Sequence, residues 1–141
     1  MLARIALVCL VVATAPVIAG PAIEIHASCA ADLAADPTHI RILRSELAQA
    51  LANASEAHAV DITLAKLDTQ TASQEVIVRA EVRAFVSDPK GRIKFATTAY
   101  ATARGSIKDR ALVQQDAIAG AARSAGTNIG KAIQSAQVAR K

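Results

Sequence analysis

Cysteine is almost absent from these 141 residues, with Cys9 and Cys29 the whole complement. Tryptophan is missing, and Phe85, Phe95 and Tyr100 are the only aromatic residues. So few rings make stacking platforms for bases or sugars scarce. The glycines form neither a phosphate-cradling loop nor the Gly-x-Ser-x-Gly elbow of a serine hydrolase. Acidic residues are slightly outnumbered, for a net charge of +4, which is too mild to imply nucleic acid. No catalytic constellation and no cofactor motif stands out, so function has to be approached through compartment and architecture.

The longest apolar run, Ile5 to Ala15, follows a single charge at Arg4 and ends at Pro16. Small residues come next, with Ala19, Gly20 and Ala22. This is the layout of a cleavable signal peptide over residues 1–20, with the cut after Ala19 or after Ala22. The run falls short of the roughly 20 residues that span a bilayer, so no transmembrane segment is expected after cleavage. Export to the periplasm or the extracellular space follows. A lipid anchor at Cys29 is the lesser alternative: Ala27 and Ser28 suit a lipidation site, but His26 stands where a Leu or Val is wanted. With Cys9 removed, Cys29 is alone, which excludes an internal disulfide and leaves an intermolecular one as its candidate role.

Residues 21–35 read as an irregular arm, and 36–138 as one α+β domain. Asp36-Pro37 supplies a helix cap and a first-turn proline. Ile40, Leu43, Leu47, Leu51 and Ala54 then recur at helical spacing. At Val60, Ile62 and Leu64 the period changes to two, which predicts a strand, with Asp68 to Gln74 as a polar turn. Val76, Val78, Ala80, Val82, Ala84 and Val86 alternate with Ile77, Arg79, Glu81, Arg83 and Phe85, the clearest strand in the chain. Asp88-Pro89-Lys90-Gly91 has the chemistry of a tight turn into a strand from about Arg92 to Arg104. A four-residue loop would pair Ser87 with Arg92 and Val86 with Ile93, leaving one sheet face apolar. A three-residue loop with a bulge at Gly91 would shift the strand by one and turn Lys94 and Tyr100 inward, so the four-residue register is the expected one.

Asp109 is the expected cap of a closing helix to about Val138, buried along Ile118, Ala122, Ala125, Ile129 and Ile133, with Gly126-Thr127-Asn128 as a place for a kink. The fold class is therefore α+β, a two-layer sandwich of helix, three-stranded antiparallel sheet and helix.

Candidate sites are few. His26, Cys29 and His39 are too scattered for a structural zinc set, and His58 stands alone, so no metal is expected. Asp61 and Asp68 are not marked as an acid–base pair. The α-β-β-β-α order is also that of a double-stranded-RNA-binding domain. Lys108 and Arg110 alone stand where a dense lysine cluster belongs, and an exported chain meets no RNA. Ile77, Arg79, Arg83, Phe85, Lys94 and Tyr100 remain as a possible protein-contact face on the outer side of the sheet.

The stretch "LRSELAQALANA", then "VDITLAKL", then "EVIVRAEVRAFVSDPKGRIKFATTAYATARG" resembles in layout the small envelope domains shared by the N-terminal domain of TolB, the curli secretion protein CsgG and related lipoproteins. The first strand of those domains finds no counterpart here. The resemblance implies an accessory or assembly role and transfers no site residues. The expected function is a non-enzymatic, exported module of the bacterial envelope, acting on a protein partner or by self-association. The alternatives are a carrier for a small apolar ligand, held between helices and sheet above Ala99, Ala101 and Ala103, and more remotely a hydrolase-like enzyme.

Overall fold

The row Val76, Val78, Ala80, Val82, Ala84 and Val86 decides the architecture. Each side chain is at most 2% exposed. All lie on one face of a strand, so that face must be covered. A computed structural model describes residues 23–33, 35–52 and 59–139. The expected signal peptide lies outside them. The elements run β1 (Glu24–Cys29), α1 (Pro37–Ala50), β2 (Ala59–Ala72), β3 (Glu75–Ser87), β4 (Ile93–Ser106), a single 3-10 turn (Ile107–Asp109) and α2 (Arg110–Ala139). The sheet order is β1-β2-β3-β4. β1 runs parallel to β2, and the other pairs are antiparallel. Leu43, Leu47 and Leu51 at α1 join Val113, Ile118, Ile129 and the alanines of α2 in one core over the valine row.

This α+β sheet is mixed and has four strands, where three antiparallel ones were expected. The additional strand, β1, lies inside the stretch read as an irregular arm. Its inward residues Ile25, Ala27 and Cys29 alternate with Glu24, His26 and Ser28, a pattern too short and too weakly apolar to stand out. Its hydrogen-bonding partner β2 lies beyond a helical crossover, so no local turn announces it. The α-β-β-β-α order of an RNA-binding domain is thereby lost.

Asp36 caps α1 as expected, its carboxylate accepting from the Thr38 N–H at 2.8 Å. The helix ends at Ala50, short of the predicted Ala54, which lies outside the described residues. β2 runs through much of the expected polar turn, and only Ser73 and Gln74 turn, Ser73 with φ 55°. The cause is a bulge: Leu64 faces Val82 but Lys66 faces Glu81, so Ala65 is an extra residue. Beyond it the inward positions change from even to odd numbers. Leu67 then packs on the core and Thr69 accepts from Gln114 Nε2 at 3.3 Å, so the polar stretch still has an inner face.

The β3–β4 hairpin uses two offsets. Gly91 N–H donates to the Asp88 carbonyl and Asp88 N–H to the Arg92 carbonyl, each at 2.9 Å. Gly91 has φ 79°, the left-handed conformation a three-residue loop with a bulge requires. That single offset would have turned the strand over. A second irregularity follows at once: Ser87 faces Ile93, but Val86 faces Phe95, leaving Lys94 as the extra residue. The sum is a two-residue shift from the expected register. Partners change, with Val82 facing Ala99 and Ala80 facing Ala101, but the apolar face is kept.

Ser106, not Asp109, caps the C-terminal helical segment, its hydroxyl accepting from the Lys108 N–H at 3.3 Å. α2 is helical through Gly126-Thr127-Asn128. The expected stripe is buried, joined by Val113, Ala117 and Ala121. Gly126 is where α2 meets α1: a methyl group there would overlap Ala50 Cβ. Arg123 adds a two-pronged contact to Glu46, at 3.2 Å from Nε and 3.4 Å from Nη2.

Gly126→Ala should therefore destabilise the fold by about 1–3 kcal/mol, despite alanine's better helix propensity. Gly130→Ala, which meets nothing within 4 Å, should stabilise it by up to about 1 kcal/mol. Urea unfolding of the two variants checks the contrast.

Candidate protein-contact face

Both helices cover the same side of the sheet, so the residues alternating with the valine row face away from them. Ile77, Arg79, Arg83 and Phe85 on β3 are joined there by Tyr100 on β4. Phe85 is 40% and Tyr100 51% exposed, and Ile77 is half-buried. Tyr100 faces Glu81 across the ladder, while Arg79 lies diagonal to it with Cζ 5.1 Å from the ring centroid. That is a cation–π contact, and it holds the ring along the sheet.

Glu81 is the feature that sequence reasoning left as one outer charge among several. It is the only buried charged residue among those described. Arg83 Nη2 reaches it at 3.1 Å and Lys66 Nζ at 3.8 Å. The Ala65 bulge is what brings Lys66 opposite Glu81, and that bulge had no signal in the sequence. Arg104 Nη1 lies 3.9 Å from Glu75 at the far end of the face.

Lys94 is separated from the other candidates. As the extra residue of the hairpin it reaches back to Asp88, with Nζ 3.8 Å from Oδ2. Asp88 organises that whole corner. Its Oδ1 accepts from the N–H groups of Lys90 and Arg92, each at 2.9 Å, and its Oδ2 from Arg92 Nε at 3.0 Å. The Arg92 N–H is the main reason its carboxyl titrates below the ordinary aspartate range; partial burial opposes the shift, and the Arg92 side chain and Lys90 N–H add to it.

Cys29 sits at the end of β1, half-buried on the inner side. Burial pushes its thiol above the ordinary range, with the Asp36 N–H pulling the other way and the Asp36 charge adding to the rise. His26 lies on the opposite face of the same strand and pairs with Glu24 at 3.0 Å. His39 lies on α1, with Nε2 3.7 Å from Asp36. The three residues considered as metal ligands therefore do not converge. Among the described residues no group of three or more His, Cys, Asp or Glu side chains is placed to hold a metal ion, and no helix is long and apolar enough to cross a membrane.

The cleft imagined for an apolar ligand is filled. Ala99 is only 3% exposed, and a methyl group on Gly120 would come within 3.0 Å of Ala101 Cβ. The small residues of β4 admit α2 rather than a guest. A groove of about 300 Å³ lies instead between α1 and α2, lined by Arg41, Ile42, Ser45, Glu46, Gln115, Asp116 and Ala119. It is open and of mixed polar and apolar lining, and Glu46 is already held by Arg123.

No protein-family model matches the chain, and no curated protein matches it in sequence. Similar folds occur among solved structures. A minor lipoprotein of Acinetobacter baumannii aligns with a TM-score of 0.55 at 14% identity, over 77% of this chain and 90% of its own. A candidate lipoprotein of Caulobacter crescentus aligns with a TM-score of 0.54 at 18% identity, over 83% of this chain and 92% of its own. At these identities the likeness concerns the fold.

Two outcomes follow from the site's electrostatics. The Asp88 corner contributes stability in full above the ordinary aspartate range and loses it as pH falls through the lowered carboxyl value. The amide resonances of Lys90 and Arg92 should shift with a midpoint below that of a free aspartate, and Asp88→Asn should abolish the transition. Cys29 should react with a soluble disulfide reagent at neutral pH far more slowly than a free thiol, and reach the free-thiol rate once urea unfolds the chain.

Proposed function

We propose that this chain is an exported, non-enzymatic accessory module of the bacterial envelope that acts by protein contact through the bare face of its sheet. The observation that carries the reading is the one-sided covering of the sheet. With both helices on the inner side, Phe85 and Tyr100 stand open among Arg79, Arg83 and Arg104. A rigid aromatic surface edged with arginines is the composition from which interface hot spots are built.

The envelope location draws on the signal-peptide pattern of residues 1–20 and on the lipoprotein names of the two similar structures. The reading takes cleavage after Ala19 or Ala22, giving a periplasmic or extracellular protein. Lipid attachment at Cys29, the version those names favour, would remove all of β1 but its last residue and strip β2 of its parallel neighbour, leaving it paired with β3 alone. The soluble version, which keeps β1 whole, is the one adopted in this reading.

Ile77→Asp combined with Phe85→Asp should reduce crosslinking to envelope partners at least tenfold while leaving the far-ultraviolet dichroism unchanged. Phe85→Asp alone serves as the milder variant. Unchanged crosslinking by both folded variants would rule the face out.

A further inference from the structure

We infer that the free edge of β4 is a self-association site, at which two copies of this chain pair antiparallel about Tyr100 and join their sheets. This deepens the protein-contact reading but uses a different surface, the edge rather than the face.

The two edges of the sheet are built differently. β1 has six residues and carries Glu24 and His26, the short, charged kind of edge that resists pairing. β4 has fourteen, and its central run Phe95-Ala96-Thr97-Thr98-Ala99-Tyr100-Ala101-Thr102-Ala103 contains no charge, proline or glycine. Its register with β3 is unbroken from Phe95 to Ser106, so no bulge twists the edge away. Among the described residues nothing pairs with its outer side. Over roughly 30 Å, backbone donors and acceptors are therefore presented on an unguarded strand.

The side chains favour a second copy over a foreign peptide. Thr97, Ala99, Ala101 and Ala103 on the inner side are too small to form the pockets by which an edge reads a foreign sequence. Selectivity must then come from register and charge, which the strand itself provides. Two-fold antiparallel pairing requires one residue to face its own copy. Centred on Ala99, Lys94 of each copy would face Arg104 of the other, an unfavourable pair. Centred on Tyr100, Lys94 faces Ser106 and Arg104 faces Ala96, so no cation meets a cation. Thr98 then faces Thr102, and every position from Lys94 to Ser106 has a partner. The helices of both copies fall on one side of an eight-stranded sheet, and the two bare faces merge into one.

The test is the oligomeric state of the exported protein purified from cells, by light scattering at micromolar concentration. A dimer is expected. Thr98→Glu with Thr102→Glu should weaken it at least about tenfold without harming the fold. Within one copy Thr98 faces Arg83 and Thr102 faces Arg79, so each carboxylate gains a local partner. Thr98→Glu with Thr102→Lys should restore the dimer, because the new charges face their opposites only in the Tyr100 register. A wild-type monomer, or a dimer indifferent to the double glutamate variant, overturns the proposal. The edge and face fail separately: the face variants should dimerise normally, and loss of partner crosslinking without loss of the dimer would implicate the face alone.

Discussion

Burial of the valine row on β3 is the constraint on which the rest of this structure depends. Each fully buried valine contributes about 1.5–3 kcal/mol relative to exposure, and there are four on β3 alone. No disulfide is present to share the task among the described residues, where Cys29 is free. The row therefore has to be covered closely. α2 achieves this with Ala117, Ala121, Ala122 and Ala125 on its buried side and with Gly120 against Ala101. The same closeness that seals the core closes the space in which a ligand might have been carried.

Keeping the valine row inward also explains the irregularities. A one-residue slip turns a strand over, so each extra residue has to be absorbed. In the hairpin the offset at Lys94 adds to the one at Gly91 and so restores the facing of the strand, and Phe95, Thr97 and Ala99 stay inside. In β2 the Ala65 bulge is uncompensated, and the strand accepts the inversion because Leu67 and Thr69 can serve as inner residues beyond it. The cost of that inversion is small, since the outer position it fills is Lys66 beside Glu81, where a cation is wanted.

Much of this was legible in the sequence because it was periodic. The alternation of β3, the helical stripe through Leu43 and Leu47, the Asp36-Pro37 start and the buried line Ile118–Ile133 all found their places. What was not legible depended on non-local pairing. β1 is a strand because β2 lies beside it, and Ile25-His26-Ala27 has no strong preference of its own. The hairpin turn was visible in Asp88-Pro89-Lys90-Gly91, but its register was set by a second bulge with no distinctive residues. For the same reason the outer face was identified through Arg79, Arg83, Phe85 and Tyr100, whereas Lys94 belonged to the Asp88 corner.

The sheet has one sealed and one bare side, and two lipoproteins of quite different sequence have a similar fold. The central claim is that sidedness, and the three aromatic residues report on it directly because they divide between the faces. Hydroxyl-radical footprinting of the purified protein should oxidise Phe85 and Tyr100 readily and spare Phe95, which packs on the core. Protection of Phe85 and Tyr100 together with strong oxidation of Phe95 would mean that the strands are turned over and that the account is wrong.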